Sequence, residues 1–101
     1  MKAIGYQQSL PADDPRSLLD IELPDPTPGP RDLLVEIRAI SVNPVDTKIR
    51  MRMQPEAGEH QVLGWDVAGV VRSVGNEVSL FKPGDEVFYA GALDRPGANS
   101  E

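Results

Sequence analysis

A chain of 101 residues allows one domain at most, which would bury roughly two-thirds of the surface of the unfolded chain. The net charge of −6 argues against general nucleic-acid binding, and no apolar run is long enough to span a membrane. The chain has no cysteine and one histidine, His60, which excludes disulfides and the usual thiolate or multi-histidine zinc sites. The N-terminal residues MKAIGYQ lack the apolar region of a signal peptide, so we expect a soluble cytoplasmic domain.

Short alternating or β-branched runs predict five strands, which lie at Met1–Gln7, Leu18–Leu23, Leu33–Val42, Val67–Val74 and Glu86–Ala90. Proline-rich or polar segments separate them: SLPADDPRS, PDPTPGPRD, the polar loop 54–61 and a turn-rich segment after residue 89.

The stretch 63–90 contains the strongest turn signals. Gly69 lies inside a strand and suggests a bulge or a close backbone approach. Gly75-Asn76 predicts a turn, because both residues tolerate positive φ, and Lys82-Pro83-Gly84-Asp85 predicts a type II turn with positive φ at Gly84. Strands joined in this way predict a small antiparallel barrel or sandwich, and not a nucleotide-binding βαβ unit.

One short helix is predicted after the third strand. Asn43 is a favourable N-cap, Pro44 suits the first helical position, and Asp46 places a negative charge in the first turn. Val45 and Ile49 are four residues apart and share the apolar face. The basic residues are expected to face solvent: Lys48, Arg50 and Arg52.

Three motifs in this order carry a resemblance: AISVNPVDTKIR, LGWDVAGVVRSVG and FKPGDEV. They resemble the N-terminal GroES-like catalytic domain of medium-chain dehydrogenases/reductases, in the zinc-type alcohol dehydrogenase-like and quinone oxidoreductase-like branch. The resemblance covers nearly the whole chain, so residues 1–101 are expected to form one GroES-like domain. It implies a mainly β fold, an antiparallel β-barrel with one short helix.

The chain departs from the zinc-dependent members of that superfamily. Where they have a cysteine after the third strand this chain has Asn43 to Asp46, and where they have a His-Glu pair it has Trp65-Asp66. An indole ring cannot ligate a metal, and the thiolate is absent. We therefore expect no zinc.

Without zinc, the resemblance implies NADPH-dependent hydride transfer to a quinone or another conjugated carbonyl. The resemblance also implies that Asn43 would form a hydrogen bond near the nicotinamide or the substrate carbonyl, which makes it a catalytic and cofactor-binding candidate. Asp46 and Lys48 would line the pocket mouth, as catalytic and cofactor-binding candidates respectively, and Trp65 would form a wall of the substrate pocket.

Each of these residues has an alternative, purely structural role. Asn43 can be only a helix cap, and Asp46 only a partner of the helix dipole. Lys48 can belong to a solvated face, and Trp65 can belong to the core.

No dinucleotide-binding fingerprint is present, so the cofactor domain of the resembling enzymes is absent and the chain is expected to be an inactive fragment. The alternative function is a non-catalytic GroES-like interaction module that self-associates. The last predicted strand, Glu86–Ala90, would lie at an unprotected edge, with Phe88 and Tyr89 available for contacts. We therefore expect the chain to form a homo-oligomer. The full-length protein is expected to act on a small molecule.

Overall fold

A computed structural model describes residues 1–101 and confirms a mainly β fold with one short helix. The elements in chain order are β1 (Lys2–Tyr6), β2 (Leu19–Glu22), β3 (Leu33–Ser41), α1 (Pro44–Arg52), β4 (Gln61–Val62), β5 (Asp66–Val74) and β6 (Glu86–Ala90). No helix in the structure combines the length and the apolar character that crossing a membrane requires.

The strands form two three-stranded antiparallel sheets, with orders β2-β1-β4 and β3-β5-β6. The sheets are connected through the last residue of the chain and not by a closed ring of paired strands. The Glu101 N–H donates to the Lys2 carbonyl oxygen at 3.1 Å, and a Glu101 oxygen accepts from the Ile37 N–H at 3.3 Å. The sequence predicted an antiparallel barrel or sandwich, and the structure has two antiparallel sheets that are bridged by Glu101.

Gly69 lies opposite an irregularity in β3, as its position in the sequence suggested. The register between β3 and β5 shifts between Ile37 and Ala39, directly across from Gly69. A Cβ at position 69 would collide with the backbone oxygen of Glu36. Both expectations for Gly69, a bulge and a close backbone approach, are confirmed.

The two predicted turns form, but only one uses positive φ. Gly84 has φ of 95°, and the Asp85 N–H donates to the Lys82 carbonyl at 3.2 Å, as expected for a type II turn. At Gly75 the predicted turn forms without positive φ, and the Val78 N–H donates to the Gly75 carbonyl at 3.1 Å. Glycine is required there by space, because a Cβ would collide with the carbonyl oxygens of Gly29 and Pro30.

Two segments expected to be loops are more ordered than predicted. Gln61–Val62, assigned in part to the polar loop, pairs with β1 as β4. The turn-rich C-terminal segment lies along residues 62–64. The backbone N–H groups of residues 97, 98 and 99 donate to the carbonyl oxygens of residues 62, 64 and 63, at 2.7 to 2.9 Å. A two-residue strand is too short for alternation to reveal it, and this tail pairs through its backbone without an apolar pattern.

The buried core lies beneath α1. Tyr6, Leu63 and Trp65 form its centre, and Val45 and Ile49 pack against them from the apolar face of the helix, as their spacing predicted. The helix begins at Pro44 with Asn43 at the N-cap position, also as predicted. This packing fixes the start of the helix against the loop that leads into β5.

Candidate functional site

The side chain of Asn43 joins the ends of two strands. Its amide nitrogen donates to Asp66 Oδ2 at 2.5 Å, and to the carbonyl and hydroxyl oxygens of Ser41 at 3.3 Å each. Ser41 ends β3 and Asp66 begins β5, and the two residues are opposite one another in the antiparallel register. The half-buried Asn43 is therefore held at the corner where the sheet meets the helix.

Asp46 is buried, with 6% of its surface exposed. One carboxylate oxygen accepts from the Asn43 N–H at 2.7 Å, and the other accepts from the Gly64 N–H at 2.8 Å. Gly64 has φ of 99°, a backbone conformation that favours glycine. Asp46 thus ties the first turn of α1 to the loop before β5, and a catalytic role would compete with these two bonds.

Trp65 lies in the core, with 4% of its surface exposed. Its indole N–H donates to the Ala92 carbonyl at 3.1 Å, so the polar end of the ring also has a partner inside the fold. Trp65 immediately precedes Asp66, the first residue of β5. Its predicted contact with substrate stays a prediction.

The Lys48 side chain is exposed and makes no hydrogen bond or ion pair within the chain. Arg50 was expected to be mostly solvent-directed; it is half-buried, and its guanidinium donates to the Leu10 carbonyl at 2.5 Å. The structure therefore brings Asn43, Asp46 and Trp65 together at the start of the helix, and it leaves Lys48 separate from them.

The C-terminal end of α1 is fixed by Tyr6, which is fully buried. Its hydroxyl donates to the Met53 carbonyl at 2.6 Å and lies 3.1 Å from the Ile49 carbonyl. Burial raises the pKa of Tyr6 above its ordinary value, and the positive charge of Arg50 opposes this in part. Both ends of the helix are thus held by side chains buried in the core.

Asp66 and Ser41 belong to the site but were not predicted from the sequence. The antiparallel pairing of β3 and β5 was the available signal, since it brings the end of one strand beside the start of the other. The exact register could not be read from the sequence, because β3 carries two irregularities against β5.

An open groove of about 520 Å³ begins at this polar corner. Seven of its nine lining residues are hydrophobic, and Ser41 and Asp66 form its polar end. Phe88 of β6 contributes exposed aromatic surface, whereas the neighbouring Tyr89 is paired with the buried Val67, and burial raises the pKa of Tyr89. A flat apolar molecule with polar substituents would find both kinds of contact here.

The residues present do not fit zinc. Cysteine is absent, and no group of three histidine, cysteine, aspartate or glutamate side chains lies close enough to share a metal ion. Of the two carboxylates at the corner, Asp46 accepts from two backbone N–H groups and Asp66 accepts from Asn43.

The residues fit only a small part of a nicotinamide dinucleotide. The single helix follows an Asn-Pro sequence and not a glycine-rich loop, so no phosphate cradle of the dinucleotide-binding kind is present. The Asn43 amide and the adjoining groove offer contacts for an amide-bearing ring.

Comparison with known proteins agrees with this architecture. Residues 29–99 match the profile of the alcohol dehydrogenase GroES-like domain family. A zinc-type alcohol dehydrogenase-like protein of Staphylococcus epidermidis is 42% identical over 101 residues, which is all of this chain and 30% of that protein.

Two solved structures are also similar. A protein of Rhizobium etli, named as a zinc-dependent alcohol dehydrogenase, is 55% identical with a TM-score of 0.95, over 100% of this chain and 29% of its own. The Escherichia coli quinone oxidoreductase complexed with NADPH is 31% identical with a TM-score of 0.76, over 92% of this chain and 28% of its own. The chain thus spans less than a third of the length of these proteins.

Proposed function

From the premise that this chain belongs to the alcohol dehydrogenase GroES-like domain family, and so to the medium-chain dehydrogenases/reductases, we propose a specific role for it. It is the N-terminal catalytic-domain part of a zinc-independent, NADPH-dependent oxidoreductase. That enzyme transfers hydride to a quinone or another conjugated carbonyl compound.

The observation that carries this proposal is the polar corner at the end of the apolar groove. Asn43 is held there by Asp66 and Ser41, and the remaining groove wall is mostly hydrophobic. Quinones are flat and largely apolar, so the hydrophobic wall of the groove suits them, and the Ser41 hydroxyl at its polar end can donate a hydrogen bond to an oxygen at the ring edge. The similarity to the Escherichia coli quinone oxidoreductase supports the same substrate class.

In this proposal NADPH supplies the hydride, and the residues of this chain bind, orient and exclude water. Asn43 would hold the edge of a bound nicotinamide, and Asp46 keeps the Asn43 backbone in place through its hydrogen bond at 2.7 Å. Trp65 supports the groove from the core, and the exposed Lys48 is available to a cofactor phosphate. The remaining cofactor contacts belong to other parts of the enzyme.

Independence from zinc is supported by the donor set, which contains no cysteine and one histidine. Several relatives carry names that mention zinc, and the proposal of zinc independence for this chain rests on its own residues and not on those names. We also propose that the protein is cytoplasmic and binds no nucleic acid, consistent with the net charge of −6.

The test uses a chimera in which this chain replaces the matching residues of the Rhizobium etli protein, to which it is 55% identical. We expect the chelator-washed chimera to oxidise NADPH when a quinone is added, and the isolated chain to show no such activity. Asn43→Ala should lower kcat/KM about tenfold, equivalent to about 1.4 kcal/mol. Asn76→Ala is the matched control, because Asn76 is exposed and has no side-chain hydrogen bond.

Two results would contradict the proposal. One is a folded chimera without quinone-dependent NADPH oxidation, and the other is activity that disappears on chelation and returns with zinc. Equal effects of Asn43→Ala and Asn76→Ala would remove Asn43 from the mechanism.

A second candidate function is a non-catalytic module that associates with a copy of itself. It is favoured by β6, which pairs only with β5 and carries Phe88 with 89% of its surface exposed. An inactive chimera combined with a stable dimer of the isolated chain would favour this function over the enzymatic one.

A further inference from the structure

We propose that Asp66 is the positioning residue for Asn43, and that it restricts Asn43 to accepting hydrogen bonds from a ligand. The orientation of the Asn43 amide is a property of this chain alone. The identity of the ligand rests on the function proposed above.

The chemistry of the pair determines which end of the amide faces Asp66. An ionised carboxylate can only accept hydrogen bonds, so the amide nitrogen and not the amide oxygen must face it. The nitrogen has two hydrogens, and both have acceptors: one bonds Asp66 Oδ2 at 2.5 Å, and the other faces the two Ser41 oxygens at 3.3 Å. The side chain therefore retains only its oxygen for a ligand.

The frame around the amide keeps this orientation. Ser41 and Asp66 are paired across β3 and β5, so their positions are set by the sheet. The backbone of Asn43 is fixed separately, because its N–H donates to the buried Asp46 carboxylate. Rotation of the amide would place its oxygen against the Asp66 carboxylate, which is electrostatically unfavourable.

The consequence is a preference for one class of ligand group. A primary carboxamide or a hydroxyl can donate to the Asn43 oxygen, whereas a carbonyl oxygen cannot. Of the two roles open to Asn43, contact with a nicotinamide carboxamide is retained and contact with a substrate carbonyl is excluded. The carbonyl oxygen of the substrate must then be held by a donor other than Asn43.

The first experiment follows the Asn43 side-chain amide by NMR in the ¹⁵N-labelled protein. We expect the proton that faces Asp66 to be shifted downfield and slow to exchange, and to move to the ordinary amide position in Asp66→Ala. Asp13→Ala is the matched control, because Asp13 is exposed and has no hydrogen bond. An unchanged Asn43 amide signal in folded Asp66→Ala would overturn the proposal.

A reciprocal exchange keeps the test valid if Asp66→Ala does not fold. Asn43→Asp alone would place two carboxylates together and should lower the melting temperature. Adding Asp66→Asn restores one donor and one acceptor between the two side chains but not the bonds to Ser41, so the double variant should recover part of the loss. Failure of the second substitution to rescue the first would contradict the positioning role.

The second experiment compares nicotinamide with methyl nicotinate, which lacks the N–H donors. We expect the wild-type protein to bind nicotinamide about tenfold more tightly, a difference of about 1.4 kcal/mol, and Asp66→Ala to lose this preference. Equal binding of both by the wild type would overturn the acceptor-only restriction. Binding of neither, with the NMR result intact, would count against the proposed function and not against the role of Asp66.

Discussion

The start of β5 and the neighbouring strand β6 differ in how their polar groups are satisfied. At the start of β5, a helix-start cluster of Asn43, Asp46, Gly64 and Asp66 forms a hydrogen-bonded unit within the chain. On β6, one side of the backbone pairs with β5, and the other side has no partner strand. The cluster leaves only the Asn43 side-chain oxygen open to a ligand, whereas β6 offers a row of backbone groups and side chains to another surface.

The distribution of apolar surface follows the same division. Trp65, beside the cluster, is 4% exposed, whereas Phe88 on β6 is 89% exposed. The radius of gyration is 14.3 Å, compared with about 13 Å for a compact domain of this length. The chain is thus somewhat more extended than a compact domain. The exposed surface of β6 is where contacts with other parts of a longer protein, or with a second copy, would add most stability.

The largest expected effect comes from removing Asp46, which would break the cluster. Asp46→Ala leaves the N–H groups of Asn43 and Gly64 without their acceptors, at a cost of about 3 kcal/mol. Urea unfolding followed by tryptophan fluorescence measures this directly, because Trp65 is the only tryptophan and adjoins Gly64. If the loss matches that of the exposed control Asp13→Ala, Asp46 does not anchor the cluster.

A smaller effect is expected at the other end of the helix. Tyr6→Phe removes the hydroxyl that donates to the Met53 carbonyl at 2.6 Å, and should cost about 1 kcal/mol. Tyr89→Phe is the matched control, since Tyr89 is partly exposed and its hydroxyl has no hydrogen bond. Thermal melts at neutral pH compare the two variants, and equal melting temperatures would show that the hydroxyl contributes nothing.

The same tyrosine predicts a dependence on alkaline pH. Burial raises the pKa of Tyr6 in the folded chain above the unfolded value of about 10. The contribution of protonated Tyr6 to the free energy of unfolding is therefore fully present below about pH 10, and it is lost as the pH rises through the pKa of Tyr6 in the folded chain. Melting curves across this range should fall less steeply for Tyr6→Phe than for the wild type.

Much of the fold was predictable from short patterns. The five long strands and the helix start at Asn43-Pro44 agree with the structure within one or two residues. The positive φ at Gly84 followed from the Pro-Gly pair, because that turn type requires it. At Gly75 the turn was also predicted, but for another reason than the one in the structure, where the absence of a side chain admits the carbonyl oxygens of Gly29 and Pro30. A long-range approach of this kind leaves no local signal.

The site was predictable only in part, for a related reason. Asn43 and Asp46 were found because both follow rules for a helix start, which act over four residues. Asp66 was missed because its contact with Asn43 depends on the register of β3 against β5, which two irregularities shift. The sequence likewise could not show that Asp46 bonds Gly64, 18 positions away along the chain.

The smallest expected effect on stability, and the one that tests the open side of the comparison, is at Phe88. Phe88→Glu replaces a side chain that is 89% exposed, so the free energy of unfolding should change by less than about 0.5 kcal/mol. A charge on an unpaired edge strand opposes pairing with another strand, so the same change should prevent self-association. Light scattering over a range of concentrations should show a dimer or larger species for the wild type and 11.0 kDa monomers for the variant.

Leu80→Glu is the matched control, because Leu80 is 87% exposed but lies outside β6, and it should still associate. A monomeric wild type would contradict the expected homo-oligomer, and loss of association in both variants would show that general apolar exposure, and not the β6 edge, holds the copies together.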